Sequence, residues 1–232
     1  MLVDFHTHTD ASDGALSPIA LLERAGNLGI EAMAVTDHDT LAGYRAAQVA
    51  VPKGLHLLSG VELSCVWSAT TIHVVGLGFN PDATCMTSMM ELLERARAER
   101  AEKIGQRLAA RNMPHALAGA RRIAGHSQLG RPHFARWMVE QGHVVSMNAA
   151  FDKYLGQGKV GDVKTFWPSL SDAVASIVDA GGTAILAHPL KYRLTRTKLH
   201  ALCRDFAAAG GRAIEIVNGR QTGDETQRLK AL

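Results

Sequence analysis

The chain has 232 residues, of which 47% are hydrophobic, 20% charged and 5% aromatic. These proportions are typical of a folded globular protein, and they exclude collagen-like, low-complexity and disordered classes. Lys and Arg number 25 against 22 Asp and Glu, a net charge of +3 that suits an anionic substrate but is too small to indicate DNA coating. No apolar run approaches the roughly 18 residues that a membrane span requires, so no membrane association is expected.

The cysteines indicate a reducing compartment. Cys65, Cys85 and Cys203 are odd in number and far apart, which predicts neither a disulfide framework nor a CxxC zinc site. The N-terminus reaches Asp4 and His6 without the apolar segment of a secretory signal. We therefore expect a cytoplasmic location and a fold that starts near the first residue.

Short apolar runs alternate with Ala- and Leu-rich helical stretches along the chain. This alternation predicts an α/β fold with a parallel sheet. The runs expected to form strands are 2–5, 32–35, 55–63, 72–77, 184–187 and 213–217.

About a hundred residues between the fourth and fifth runs show no strand pattern, which predicts a helical insertion. Its first helix has charged pairs four residues apart, typical of a solvated scaffold helix. Pro132 suits the first turn of a later helix, and 169–178 is expected to lead back to the main body. We expect 1–85 and 166–232 to form one discontinuous body and 86–165 to form the insertion.

The first candidate site is the sequence HTH at 6–8, followed by SDG at 12–14. Side chains two apart on a strand share a face, so His6 and His8 can hold one metal. Such a pair also occurs in purely structural roles and needs further ligands to be convincing.

A second candidate follows an apolar run, in the sequence TDHD at 36–39. These polar residues cannot all be buried without partners, which favours His38 as a metal ligand. Asp37 or Asp39 could accept a hydrogen bond from the second ring nitrogen of His38 and so orient it. Asp39 could equally be the N-cap of the next helix, and the sequence leaves the roles of both carboxylates open.

Three further candidates lie in predicted strands. Glu62 sits in an apolar run where an unpaired carboxylate would be costly, His73 sits in the next run, and His188 closes a run before Pro189. Each could be a satisfied core residue when taken singly. Together with the earlier candidates they fall at or near the ends of five predicted strands, which a parallel barrel would bring to one pocket.

Imidazole and carboxylate ligands without a thiolate suit Mn, Fe, Zn or Co, or Mg when waters complete the site. More than four ligands imply more than one metal ion. A carboxylate such as Glu62 is a natural bridge between two ions.

In this order, the motifs HTH, SDG, TDHD, GVE, IHVVG and AHP resemble the polymerase and histidinol phosphatase (PHP) family of metal-dependent phosphoesterases. The resemblance implies a distorted (β/α)7 barrel with a helical insertion and two or three divalent ions, with manganese the first choice. His6, His8 and Glu62 would hold one ion, and Glu62 would bridge to a second. The remaining roles implied are His73 and His188 for the second ion, and Asp13 and His38 for a third.

One family feature is absent from the sequence. The final ligand pair, an Asp-x-His, is expected soon after 214–218, and no such motif occurs before Leu232. The resemblance therefore implies a barrel whose C-terminal strand and helix, with these last ligands, are missing from the sequence.

The long insertion and the sequence GRPHF at 130–134 resemble the nucleotide-cleaving subgroup of the family. Its members remove the 3′-phosphate from 3′,5′-bisphosphonucleotides or trim short RNA from its 5′ end, by a hydroxide activated between the metals. Arginine recognises phosphate through its planar, permanently charged fork. The residues that the resemblance and the sequence suggest for gripping substrate are Arg131, His133, Lys159, Asn218 and Arg220.

Two alternatives to this activity stay open. One is a phosphatase for histidinol phosphate or another small monoester, which the SDG sequence at Asp13 disfavours. The other is a non-catalytic PHP module, which the intact early ligand set disfavours. The expected partner is a nucleotide or short RNA, without a stable DNA complex or an obligatory protein partner.

Overall fold

The structure is a computed structural model that describes residues 1–164, 166–219 and 221–232. Within these residues, strands and helices alternate along the main body, which confirms the predicted α/β class. The strands are β1 (Val3–Thr7), β2 (Ala32–Val35), β3 (His56–Leu58), β4 (Gly60–Trp67), β5 (Thr70–Leu77), β6 (Thr183–Leu186) and β7 (Ala213–Ile214). The helices are α1 (Pro18–Asn27), α2 (Ala42–Ala47), α3 (Thr84–Ala109), α4 (Ala116–Ala124), α5 (Arg131–Glu140), α6 (Met147–Ala150), α7 (Leu170–Asp179), α8 (Arg196–Ala208) and α9 (Gly223–Lys230).

The strands form two sheets, and only one of them is parallel throughout. The first has the order β1-β2-β3, all parallel. The second has the order β4-β5-β6-β7, in which β5 is antiparallel to both of its neighbours and β6 pairs in parallel with β7. The prediction of a parallel sheet was therefore wrong for two of the five strand pairs that the structure describes, β4–β5 and β5–β6. The predicted single run 55–63 is also divided, into β3 and β4.

The hairpin between β4 and β5 explains why strand direction was mispredicted. Only Ser68 and Ala69 separate the strands, with φ of 44° and 58°. Two consecutive positive φ angles are the mark of a tight hairpin turn, which usually carries Asn or Gly. The pair Ser-Ala is not typical of such a turn, so the sequence does not predict that the chain reverses between β4 and β5.

The two sheets meet at the candidate site. His38 and Glu62 form an isolated parallel bridge, in which the Asp39 N–H donates to Glu62 O at 3.0 Å and the Glu62 N–H donates to Asp37 O at 3.2 Å. Gly60 permits this close approach, because a Cβ there would lie 2.6 Å from a backbone oxygen of β2. Backbone hydrogen bonding therefore places the TDHD sequence against the start of β4.

Three apolar cores support these layers. The largest lies between the second sheet and helices α7 and α8, and it includes Val61, Leu63, Ile72, Val174 and Ile177. A smaller one lies between the first sheet and α1 and includes Leu22, Met33 and Val35. Burial of such side chains contributes about 1.5–3 kcal/mol each, so packing holds the site residues in place.

The third core belongs to the inserted helices, and it includes Ile104, Leu108, Phe134, Trp137 and Met138. Between 78 and 182 the described residues form no strand of either sheet, as predicted. Helix α3 contributes to two cores, because Met86 and Leu93 pack against the second sheet and only its later turns enter the insertion. The predicted helix after Pro132 is α5, and the predicted return segment is α7, which Ser169 caps. Among the described helices, none has the length and apolar character needed to cross a membrane.

Candidate metal centre

The carboxylate of Glu62 is the centre of the site, and it is 1% exposed. Its Oε1 lies 2.8 Å from His73 Nδ1 and 2.7 Å from His188 Nε2. Its Oε2 lies 3.2 Å from one ring nitrogen in each of three more imidazoles, those of His6, His8 and His38. The structure therefore brings together six of the seven side chains that the sequence suggested as metal ligands.

The seventh, Asp13, completes the edge of the cluster. Its Oδ1 lies 3.5 Å from His8 Nδ1 and its Oδ2 lies 3.8 Å from His38 Nε2. Three groups of side chains are close enough to hold one ion each: His6 with Glu62 and His188; His8 with Asp13 and His38; and His38 with Glu62 and His73. This grouping differs from the one that the resemblance implies, since His188 lies with His6, and His8 lies with Asp13.

The pairing register of β4 and β5 brings Glu62 and His73 together. Glu62 is opposite Val75 and Ser64 is opposite His73, so Glu62 and His73 are diagonal neighbours on one face of the β4–β5 pair. The sequence placed Glu62 and His73 at or near the ends of strands in a parallel barrel. Both lie instead in antiparallel strands, Glu62 near the start of β4 and His73 in the middle of β5. His188 arrives from β6, where the Ala187 N–H donates to His73 O at 3.1 Å.

His188 has a strained backbone, with φ of 28° and ψ of 57°. A positive φ is uncommon for a residue with a side chain, and it persists only where neighbours enforce it. Here the His188 N–H donates to Glu215 Oε2 at 2.6 Å, and the Tyr192 hydroxyl donates to Ala187 O at 2.7 Å. The same hydroxyl accepts the N–H of His73 at 2.9 Å, which ties the two histidine-bearing segments together.

Glu215 is a site residue that the sequence reasoning missed. Its Oε1 lies 3.1 Å from His6 Nδ1, and Asn218 Nδ2 donates to the same oxygen at 3.1 Å. A carboxylate on the second ring nitrogen fixes the orientation of an imidazole ligand. Glu215 directly follows β7, and a carboxylate inside the predicted apolar run 213–217 was the available signal.

Asp37 does not contact His38; its carboxylate anchors the loop that follows β1. It accepts hydrogen bonds from Thr9 N at 2.7 Å, from Thr9 Oγ1 at 2.6 Å and from Ser12 Oγ at 2.6 Å. These bonds hold the loop that carries Asp13. Gly43 makes room for the carboxylate, because a Cβ at that position would collide with it.

Asp39 likewise neither orients His38 nor caps the next helix, so both expectations for it were wrong. Its Oδ1 accepts from Ser64 N at 2.5 Å. Its Oδ2 accepts from Arg97 Nε at 2.7 Å and from Arg97 Nη2 at 2.6 Å. Arg97 Nη1 donates to Leu129 O at 3.2 Å, which links the site to the turn before Arg131. Helix α2 has Leu41 as its N-cap.

The electrostatics of the cluster favour an ionised Glu62 and shift the pKa values of its imidazoles in both directions. Burial alone would raise the pKa of Glu62, but the facing imidazoles, His38 and His73 foremost, lower it well below its usual value. Burial lowers the pKa of His38 well below its usual value and also lowers that of His188.

His6 and His8 behave differently. Burial would lower the pKa of His6, but hydrogen bonds to Glu215 and Glu62 outweigh it and raise that pKa to about 10. The hydrogen bond to Glu62 likewise outweighs burial at His8 and raises its pKa.

This donor set fits divalent metal ions. A carboxylate offers about four lone-pair positions, and five imidazole nitrogens approach that of Glu62, so protons cannot satisfy every contact. The Nδ1 atoms of His8, His38 and His188 are buried and, in the described chain, make no well-oriented hydrogen bond. Nitrogen lone pairs that converge on an anionic oxygen repel it unless a cation lies between them. Imidazole and carboxylate ligands without thiolate suit Mn, Fe, Zn or Co.

The cluster forms one wall of a cavity of about 760 Å³. Of the suggested substrate residues, Arg131, Lys159 and Asn218 line it. Cations that the sequence reasoning did not single out also line it, namely Lys164, Lys191 and Arg193. Pockets of roughly 300–1,000 Å³ accommodate small ligands. Apart from the carboxylates of the metal cluster, the lining has five cations against Asp152 and Asp162, a balance that favours an anionic ligand.

His133 and Arg220 differ from these three. His133 is 4% exposed, and its Nδ1 accepts the Gly130 N–H at 3.0 Å, so it caps its own helix and is not among the residues that line the cavity. The expectation that His133 touches substrate is corrected accordingly: its side chain fixes the turn that carries Arg131. Arg220 lies outside the described residues.

Comparisons with known proteins agree with this site. The PHP domain profile matches residues 4–104. A 5′-3′ exoribonuclease from Haemophilus influenzae is 40% identical over 227 residues, which cover 97% of this chain and 82% of the relative. The chain belongs to the PHP domain family.

Other PHP relatives carry names from the same nucleotide-cleaving subgroup. A 3′,5′-nucleoside bisphosphate phosphatase from Chromobacterium violaceum is 40% identical, covering 98% of this chain and 80% of the relative. The 5′-3′ exoribonuclease Rnm of Escherichia coli is 39% identical, covering 100% and 80%. The predicted family and subgroup are thereby confirmed.

A solved structure extends the likeness to the whole described PHP fold. An amidohydrolase from Chromobacterium violaceum, determined with bound sulfate and no metal, superposes with a TM-score of 0.89 at 38% identity. The match covers 98% of this chain and 81% of that one. A Bifidobacterium adolescentis protein provisionally named a metal-dependent phosphoesterase has a TM-score of 0.82 at 28% identity, covering 99% and 82%.

Proposed function

We propose that this PHP protein is a metal-dependent phosphoesterase that removes the 3′-phosphate from 3′,5′-bisphosphonucleotides, trims short RNA from its 5′ end, or does both. The observation that carries the proposal is the convergence of five imidazoles on the buried Glu62 carboxylate, at the wall of a cavity lined by cations. The names of the relatives supply the substrate class, because they describe a bisphosphate phosphatase and exoribonucleases.

The residues proposed to hold two or three divalent ions, with manganese the first choice, are His6, His8, Asp13, His38, Glu62, His73 and His188. Such ions supply an activated water and neutralise charge on phosphoryl oxygens. Other residues of the chain fix the positions of these ligand side chains. Glu215 fixes His6, Tyr192 ties the His73 and His188 segments together, and Asp37 holds the loop of Asp13.

On the substrate side, Arg131, Lys159 and Asn218 are proposed to contact the nucleotide phosphates. Arg131 Nη1 donates to Leu155 O at 3.0 Å, and its guanidinium lies 5.9 Å from the Phe151 ring centre, so its orientation is set before substrate arrives. A fixed guanidinium loses less freedom on binding than a mobile one.

We further propose that 1–85 and 166–232 form a distorted (β/α)7 barrel and that 86–165 form the substrate-covering insertion. The separate apolar core of the inserted helices supports the division. The cytoplasmic location and the position of the family's Asp-x-His ligands stay predictions.

A phosphate-release screen of the manganese-loaded protein tests the activity. Its substrates are 3′,5′-bisphosphates, 2′- and 3′-monophosphates, histidinol phosphate and short 5′-phosphorylated RNAs. We expect the bisphosphates or the RNAs to be preferred. A clear preference for histidinol phosphate would overturn the assignment, and the absence of release from every substrate would favour a non-catalytic module.

A further inference from the structure

The carboxylate of Asp13 has only long contacts to the rest of the metal cluster. The side chain is 29% exposed, and its oxygens lie 3.5 Å from His8 Nδ1 and 3.8 Å from His38 Nε2. The hydrogen bond that Asp13 Oδ1 accepts from Ser12 Oγ is also long, at 3.5 Å. Glu62, by contrast, is enclosed by five imidazoles. The position of the Asp13 carboxylate therefore depends on the backbone of its loop.

The main body holds one side of this loop. The Asp37 carboxylate accepts hydrogen bonds from Thr9 and Ser12, which lie on either side of the first turn of the loop. The Gly14 N–H donates to Thr9 O at 2.9 Å, which closes the turn. A Cβ at Gly14 would lie 2.3 Å from His8 O, so the loop packs tightly against the end of the strand that precedes it. These contacts fix the two ends of the turn but not its outer carbonyl groups.

The segment that follows α4 in the insertion holds the other side of the loop. Ser127 Oγ donates to Asp10 O at 2.5 Å, and the Gln128 N–H donates to Ala11 O at 2.8 Å. The first of these bonds joins residues 117 positions apart in the chain. Two successive carbonyl groups, two and three residues before Asp13, are therefore held by the insertion.

The segment after α4 is itself restrained on both sides of its contact with the loop. The Ser127 N–H donates to Ala124 O at 2.8 Å, at the end of the helix. Leu129 O accepts from Arg97 Nη1 at 3.2 Å, and the same guanidinium is paired with Asp39 at 2.6 Å. A segment that is already ordered loses little further freedom when it holds a neighbouring loop. The Ser127 hydroxyl is therefore a fixed support for the loop of Asp13.

We propose that Ser127 is a positioning residue that sets the place of a metal ligand, Asp13, from the insertion. Asp13 shares its group of possible ligands with His8 and His38, whereas the two groups that include Glu62 contain no residue of the 9–14 loop. The ion of the Asp13 group therefore depends on the insertion as well as on the main body. The proposal rests on the proposed function for the presence of metal ions, but not for the reaction that they support.

Manganese titration tests the proposal, with free Mn²⁺ followed by electron paramagnetic resonance so that each bound ion is counted. Asp13→Ala first identifies the binding event of this group, as the event that the variant removes or weakens. We expect Ser127→Ala to weaken the same event ~3- to 10-fold, as for one lost hydrogen bond, and to leave the other events unchanged. An unchanged titration in Ser127→Ala, or in Asp13→Ala, would overturn the proposal.

Two variants serve as controls, and circular dichroism checks that each is folded. Ser127→Thr keeps the hydroxyl, so we expect it to bind manganese as wild type does. Ser146→Ala removes another hydroxyl of the insertion, one that accepts the Ala149 N–H at 3.2 Å and caps α6. We expect this variant to lower Tm through loss of the cap while the manganese titration stays unchanged. If either control weakened the event as much as Ser127→Ala does, the assignment to the Ser127 hydroxyl would be wrong.

The double variant of Ser127→Ala and Asp13→Ala tests whether the hydroxyl acts through the carboxylate. If it does, Ser127→Ala has no further effect on manganese binding once Asp13 has been replaced, because the two changes remove the same interaction. An additional loss of affinity for the remaining ions in the double variant would contradict the proposal. None of these measurements requires turnover, so a protein that released no phosphate would fail the proposed function and leave this inference standing.

Discussion

The ion pair between Asp39 and Arg97 provides a test of how the insertion is coupled to the metal site. The two contacts measure 2.7 Å and 2.6 Å, and the side chains are 0% and 9% exposed. Arg97→Met leaves the Asp39 carboxylate buried without its counter-ion. Removing one partner of a buried pair costs about 3–5 kcal/mol.

Arg45 supplies a matched control, because Arg45 Nη2 lies 2.6 Å from Asp82 Oδ1 while the side chains are 44% and 73% exposed. An exposed pair contributes about 0.2–1 kcal/mol, so Arg45→Met should cost no more than that. Both pairs join a guanidinium to an aspartate at 2.6 Å. They differ in burial, and the buried pair also has a second contact, from Arg97 Nε.

Equilibrium unfolding in urea, followed by circular dichroism, measures both variants. With a slope of ~2–3 kcal/mol per molar urea, Arg97→Met should lower the midpoint by about 1–2 M and Arg45→Met by less than ~0.5 M. Combining Arg97→Met with Asp39→Asn should recover part of the loss, because the buried charge is then removed. Equal losses for Arg97→Met and Arg45→Met would refute the reasoning from burial.

Three further predictions concern the site. Glu215→Gln should weaken metal binding ~10- to 100-fold, because His6 loses its charged partner. The measurement is the metal content after dialysis, and a content equal to that of wild type would contradict the prediction. Gly43→Ala should lower stability by about 1–3 kcal/mol or more through collision with Asp37, and an unchanged Tm would show that the loop yields without cost. Removal of metal by a chelator should lower Tm, since an ion at 100 times its Kd adds about 2.7 kcal/mol per site, and identical melting with and without metal would argue against a preformed centre.

The ligand motifs were predictable from sequence because several weak local signals occur together and in a family-specific order. A polar residue that interrupts an apolar run, as at Glu62 or His188, must be paired or bound to metal if it is buried. Five imidazoles converge on the Glu62 carboxylate, so six of the suggested ligands lie together, as the order of the motifs suggested.

The remaining features depend on contacts that no local pattern encodes. The β4–β5 reversal is made by Ser68 and Ala69, which do not resemble a tight turn in sequence. Asp39 meets Arg97 across 58 residues of chain, and that contact replaces the cap and orienting roles that neighbouring residues suggested. Glu215 reaches His6 across 209 residues. Long-range pairing of this kind is set by packing of whole elements.

The central claim is that Glu62 and the surrounding imidazoles hold a multinuclear metal centre. Its most direct test is elemental analysis of the manganese-loaded protein and of Glu62→Gln after removal of free metal. We expect at least two ions per chain in wild type and a clear loss in Glu62→Gln, because the proposed bridging carboxylate has been replaced. Fewer than two ions in wild type, or an equal content in Glu62→Gln, would contradict the claim.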